Sequence, residues 1–198
     1  MMARSALIWS GFAIAIAVPL GVAASSPLLA WRDPVYVIAG FAGVVALALL
    51  LVQPLLVGGY LPLTGRQGRR VHRGLGVLLV ALVTAHVAGL WITSPPDVID
   101  TLLFASPAPF APWGVIAMWA MVAAAMIAVF RQRLGARRFR VAHGAAVLVV
   151  VIASVGHAML IDGTMGMMSK AVLCLLVIAA TLKVLGDLRV WRLLRRGA

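Results

Sequence analysis

The chain reads as an all-α membrane protein, a bundle of six transmembrane helices, on three observations. Of its 198 residues 64% are hydrophobic, only five side chains are acidic, and apolar stretches recur along the whole length with short connections between them. Such a composition does not suit a water-soluble globule. Each stretch, at roughly 18 to 23 residues, is long enough to cross a hydrocarbon core of about 30 Å. The six lie at 6–24, 35–57, 71–92, 112–130, 141–161 and 167–186, in a single domain spanning 1–198.

The first segment follows Arg4 and ends in Ala23, Ala24 and Ser25. That outline also fits a secretory signal, whose removal would leave the direction of the later helices unchanged. The second holds Gln53 beside Pro54, read as a polar kink with a quinone contact as the alternative. Gly58, Gly59, Pro62, Gly65 and Gly68 then predict a non-helical loop. The third segment carries His72 and His86, and the fifth carries His143 and His157. Between the third and fourth, prolines bracket DVIDTLLF, expected as a short amphipathic helix lying in the interface over the outer site. The sixth segment has Cys174 at its centre and Lys170 and Lys183 near its ends, both expected to snorkel. Met159, Met165, Met167 and Met168 around Asp162 read as helix-end packing, and Asp97 and Asp100 as solvated loop carboxylates.

The net charge of +12 does not mark a nucleic-acid binder, because the cations fall in particular loops. Arg66, Arg69, Arg70 and Arg73 flank the second connection, Arg131, Arg133, Arg137, Arg138 and Arg140 fill the fourth, and Arg189, Arg192, Arg195 and Arg196 form the tail. The odd connections hold chiefly Arg32 with Asp33, Asp97, Asp100 and Asp162. By the positive-inside rule both termini are expected in the cytoplasm. Trp31, Trp91 and Trp113 near the outer ends, with Trp191 near the inner one, fit an interfacial aromatic belt.

The four histidines are the only ones in the chain, and each pair is separated by fourteen residues. Fourteen helical steps advance about 21 Å and return to within about 40° of the starting direction. Each pair therefore points one way at two depths. VHRGLGVLLVALVTAHVAGLWI (71–92) and VAHGAAVLVVVIASVGHAMLI (141–161) form a loose repeat, with histidines at a common offset of 71. One segment intervenes, so the two run parallel, pairing His72 with His143 near the inner face and His86 with His157 near the outer face. Buried histidines in a bilayer are costly and functional by default.

Two imidazoles at each depth suit axial ligation of two stacked haems. Zinc or copper sites draw three or four ligands to one ion, and no carboxylate or thiolate accompanies either pair. The single Cys174 and the absence of C-x-x-C-H make any haem a non-covalent b-type. Six-coordinate iron favours electron transfer over oxygen chemistry at the metal. Arg69, Arg70, Arg73, Arg138 and Arg140 flank the inner pair as candidate partners of haem carboxylates, with Arg70, Arg73 and Arg140 assigned to cofactor binding. Gly74, Gly76, Gly144 and Gly156 are placed to let a flat macrocycle approach, and Thr84 and Ser154 receive no ligand role.

Six helices with paired histidines on the third and fifth resemble the ferric reductase-like transmembrane domain family, which includes the membrane part of ferric reductases and NADPH oxidases and the haem subunit serving a periplasmic methionine sulfoxide reductase. The resemblance rests on His72, His86, His143 and His157. It implies two haem b groups stacked across the bilayer, carrying electrons outward one at a time. The sequence ends at Ala198 with no flavin or nicotinamide domain, so a separate flavoprotein reductase or a quinol is the expected donor. The acceptor is expected outside: ferric iron, oxygen or a redox partner protein. A bacterial inner membrane is the expected location. Two alternatives stand beside this reading: a quinol-linked cytochrome b anchoring a peripheral oxidoreductase, and a cofactor-free transporter or assembly factor with a histidine proton relay.

Overall fold

The computed structural model describes residues 2–188, with side chains from residue 5 onward. Trp191 and the tail arginines Arg189, Arg192, Arg195 and Arg196 lie outside the described residues, as does the side chain of Arg4. Seven α-helices follow one another: α1 (Met2–Ala24), α2 (Pro34–Gly58), α3 (Gly65–Thr93), α4 (Pro95–Leu102), α5 (Ala111–Val129), α6 (Arg131–Leu160) and α7 (Met167–Asp187). A single 3-10 turn, Pro27–Leu29, joins the first two. No strand occurs among the described residues. Every helix but α4 is long and apolar enough to span a membrane.

Local chemistry sets the helix ends. Asp33 accepts from the Val35 amide at 2.7 Å with Pro34 at the first helical position, and Gly59 (φ 73°) closes α2 in the left-handed region. A capping box joins Thr64 to Gln67, so α3 begins at Gly65. The glycine-rich stretch predicted to be loop through Gly68 is therefore helical from Gly65, because two satisfied caps outweigh the modest helix cost of glycine. Gly68 serves the packing instead: a Cβ there would lie 2.8 Å from the Leu56 carbonyl oxygen. Gly89 does the same at the other end of α3, 2.7 Å from Ala39 Cβ. α6 is broken at Gly135 (φ 71°), which separates its basic first turn from the apolar span. α4 covers the expected amphipathic stretch as far as Leu102, with Val98 buried, Ile99 exposed, and contacts to α3 and α5; Leu103 caps it and Phe104 (φ 57°) lies beyond.

Two hairpins form the framework: α2 packs along α3, and α5 packs along α6. α7 lies against α2 and α6, and α1 rests outside on α7 and α2, with Ala23 wholly buried. In lipid these faces are held by close packing rather than by hydrophobic burial. α3 and α6 scarcely approach each other directly. The core cluster includes Leu47, Leu51, Leu79, Met121, Val150 and Leu173. Leu79 lies midway between His72 and His86, and Val150 midway between His143 and His157, so apolar side chains separate the two histidine levels.

Candidate functional site

His72 and His143 bring their rings to a centroid distance of 6.5 Å at the end of the bundle where the loop arginines gather. His86 and His157 stand 6.4 Å apart toward the far end. The pairs meet across α3 and α6, which therefore run parallel. In both, the ring planes are nearly perpendicular, 79° and 84°.

Every imidazole is steered by a main-chain carbonyl on the partner helix of its own hairpin or just before it. His72 Nδ1 donates to Gln53 O at 3.2 Å and His143 Nδ1 to Ala124 O at 3.2 Å. His86 Nδ1 donates to Ala39 O at 2.7 Å and His157 Nδ1 to Phe110 O at 2.9 Å. A carbonyl oxygen can only accept, so Nδ1 carries the proton and Nε2 keeps its lone pair. That is the second-shell arrangement by which a histidine is oriented as a metal ligand.

The acceptors keep the histidines' own offset: 39 to 110 and 53 to 124 repeat the step of 71. So do two glycines absent from the sequence reading. A Cβ on Gly43 would lie 3.0 Å from His86 Nδ1, and one on Gly114 would lie 2.7 Å from His157 Nδ1. Both far-end rings thus sit where a side chain is missing. Extending the repeat from α3 and α6 to α2 and α5 is the signal that finds these residues. Of the glycines singled out earlier, Gly74 faces open space, Gly76 faces the Gln53 amide, and a Cβ on Gly156 would strike Trp113.

The spacing fits a metal held by two imidazoles. A metal midway between two ring nitrogens, at about 2.0 Å from each and with both ring radii added, separates the centroids by roughly 6.4 Å. Among the described residues no three His, Cys, Asp or Glu side chains gather around one point. The donor set is therefore two nitrogens per level, which suits a macrocyclic metal bringing its own equatorial ligands. An apolar cavity of about 390 Å³ opens between α3 and α5, lined by Val80, Thr84, Trp91, Met118 and Trp119 among others and by none of the histidines.

The other residues singled out in the sequence find these partners. The Gln53 side chain is not free for a quinone: its carboxamide is packed between the His72 ring and the Gly76 backbone. Lys183 does not simply snorkel, since its ammonium pairs with Asp187 at 2.6 Å and donates to Tyr60 Oη at 2.8 Å, tying α7 to the end of α2. Lys170 does not snorkel either; it is 5% exposed and donates to Ile161 O at 2.6 Å. Thr84 bonds only to Val80 O, on its own helix. Arg70 and Arg73 are exposed at the start of α3, and Arg140 is exposed with its Nε bonded to Ala136 O at 3.2 Å. Phe139 stacks on the His143 ring at 5.3 Å, and Phe110 meets His157 edge-on at 5.7 Å. Cys174 is a buried packing residue in the core.

Residues 39–154 match the family model described as ferric reductase-like transmembrane component. The matched stretch contains His72, His86 and His143 and ends before His157. No curated protein and no solved structure matches the chain.

Proposed function

The chain belongs to the ferric reductase-like transmembrane component family, and from that premise we propose that it is a membrane electron-transfer subunit holding two b-type haems, one between His72 and His143 and one between His86 and His157. One observation carries the reading: two histidine pairs face each other across helices that otherwise hardly touch, each ring turned by a carbonyl so that Nε2 is free. Haem bound at these levels supplies one-electron redox chemistry, with potential set by the axial ligands, burial and hydrogen bonding.

The residues of the chain hold, orient and insulate. The Nδ1 bonds raise the basicity of the ligand nitrogens and hold the ring planes. Leu79 and Val150 keep the space between levels dry and apolar. By the positive-inside rule the arginines beside His72 and His143 favour a cytoplasmic side for that level and for both termini; Arg70, Arg73 and Arg140 would face carboxylates of the inner haem. The donor is then a cytoplasmic flavoprotein reductase or a quinol, and the acceptor an extracytoplasmic ferric ion, oxygen or redox protein, in a bacterial inner membrane. A proton relay is disfavoured: the levels stand about 21 Å apart along the helix axes, with no titratable side chain at the Leu79 and Val150 positions between them.

The test is spectroscopic. Detergent-purified protein should show a Soret band, a reduced α-band of b-type haem and two haems per chain by pyridine haemochrome assay. A colourless preparation from haem-replete cells overturns the reading.

A further inference from the structure

The end of the bundle that holds His72 and His143 is strongly basic. Arg66, Arg69, Arg70 and Arg73 on α3 and Arg131, Arg133, Arg137, Arg138 and Arg140 on α6 are all exposed there. Asp187 is the acidic side chain at this end among the described residues, and it is already engaged by Lys183 and Tyr60. The described part of this end therefore carries a large positive excess.

The positive-inside rule accounts for the number of these arginines but not for their register. Arg69 and Arg140 each stand three residues before a histidine of the inner pair, and Arg66 and Arg137 each stand six before, so the step of 71 that relates the histidines relates these cations too. On α3 the four arginines fall at i, i+3, i+4 and i+7, one stripe of the helix. Depth separates a lipid contact from a protein contact. The apolar runs begin at 71 and 141, whereas α3 is already helical at Gly65 and α6 carries its basic turn on the far side of the break at Gly135. Arg66 lies five helical steps outside its run, about 7.5 Å, which is the full depth of a headgroup layer of roughly 5 to 7.5 Å. It stands where a soluble protein meets it. A quinol arrives from the bilayer instead, and Gln53, the polar side chain of α2 beside the inner pair, is packed between the His72 ring and the Gly76 backbone.

A positive surface set around the entrance to the inner level is complemented by negative charge on a partner. We propose that this end is the docking surface of a water-soluble electron-carrier protein with an acidic face. The carrier loses one electron and the inner level gains it, with no bond made or broken. The inference rests on the two-haem reading and narrows its donor to a protein.

Full-length holoprotein in phosphatidylcholine nanodiscs is mixed by stopped flow with reduced flavodoxin, an acidic carrier, or with duroquinol, an uncharged one. The flavodoxin rate constant should fall about tenfold or more from low to high salt, as steered association does. A triple variant, Arg66→Gln with Arg131→Gln and Arg133→Gln, should be about tenfold slower than wild type at low salt and converge with it at high salt. Its haem content, both midpoints and its duroquinol rate should stay at wild-type values, which also shows that it folds. Flavodoxin rates that ignore both salt and the variant, or duroquinol as the faster donor, overturn the proposal with two haems still in place. So does a difference between wild type and variant confined to phosphatidylglycerol nanodiscs, which marks the arginines as lipid contacts. A wild-type protein purified without haem removes the underlying reading instead.

Discussion

At the outer level both Nδ1 bonds are short, 2.7 Å at His86 and 2.9 Å at His157, and each ring presses on a glycine of the neighbouring helix. At the inner level both bonds are 3.2 Å, and the rings meet larger partners that differ between the two helices. His72 has the Gln53 carboxamide against it where the other hairpin has Ala124, and His143 has Phe139 stacked on it where α3 has Gly68. One repeat has thus been kept where sterics hold the rings and has diverged where polar and aromatic contacts do.

Breaking the outer seat should have the largest effect. Gly114→Ala puts a methyl group 2.7 Å from His157 Nδ1 and must push the ring off its carbonyl. Losing such an outer-shell partner costs roughly 10- to 100-fold in ligand-site affinity. Haem quantification should show the outer haem depleted and the inner one retained, with Gly43→Ala milder because its contact is 3.0 Å. Equal loss of both haems would contradict the separate construction of the levels.

Gln53→Leu sharpens the inner side. With Nδ1 protonated, the carboxamide beside it can act only through its oxygen, so leucine removes an acceptor, leaves Nδ1 bonded to the main-chain carbonyl of residue 53 alone, makes the ligand less electron-rich and should raise the inner midpoint. The expected size is that of one hydrogen bond, about 1 kcal/mol. Redox titration should find the outer midpoint unchanged.

The smallest effect is expected from the surface cations. Arg73→Gln or Arg140→Gln removes an exposed charge, and such pairs contribute about 0 to 1 kcal/mol. The inner midpoint should shift slightly downward at low salt and converge on wild type as ionic strength rises. A salt-independent loss of haem would mean that these arginines are buried partners in the loaded protein.

The spans and the histidine rectangle were legible because both rest on periodicity: apolar length counts residues across a bilayer, and fourteen steps return a side chain to the same face. The ring partners were not legible from side-chain identity, because the acceptors at Ala39, Gln53, Phe110 and Ala124 are main-chain atoms that any residue supplies. Gly43 and Gly114 matter through what they lack, and only the offset of 71 connects them to the histidines. Lys170 was misread for a related reason. A lysine near a helix end snorkels when its stem faces lipid, but this stem faces the junction of α7 with the end of α6, which no local pattern encodes. The start of α3 was placed late because its glycines were weighed as loop formers before the Thr64–Gln67 cap was weighed as a helix start.

The central claim is that the histidines act in pairs across α3 and α6, one pair for each haem. Low-temperature absorption and redox titration of the four single His→Ala variants test it directly. His72→Ala and His143→Ala should each lose the same spectral component and the same midpoint, while His86→Ala and His157→Ala lose the other. Depletion of one species by both His72→Ala and His157→Ala would contradict the pairing and the parallel arrangement of helices on which it depends.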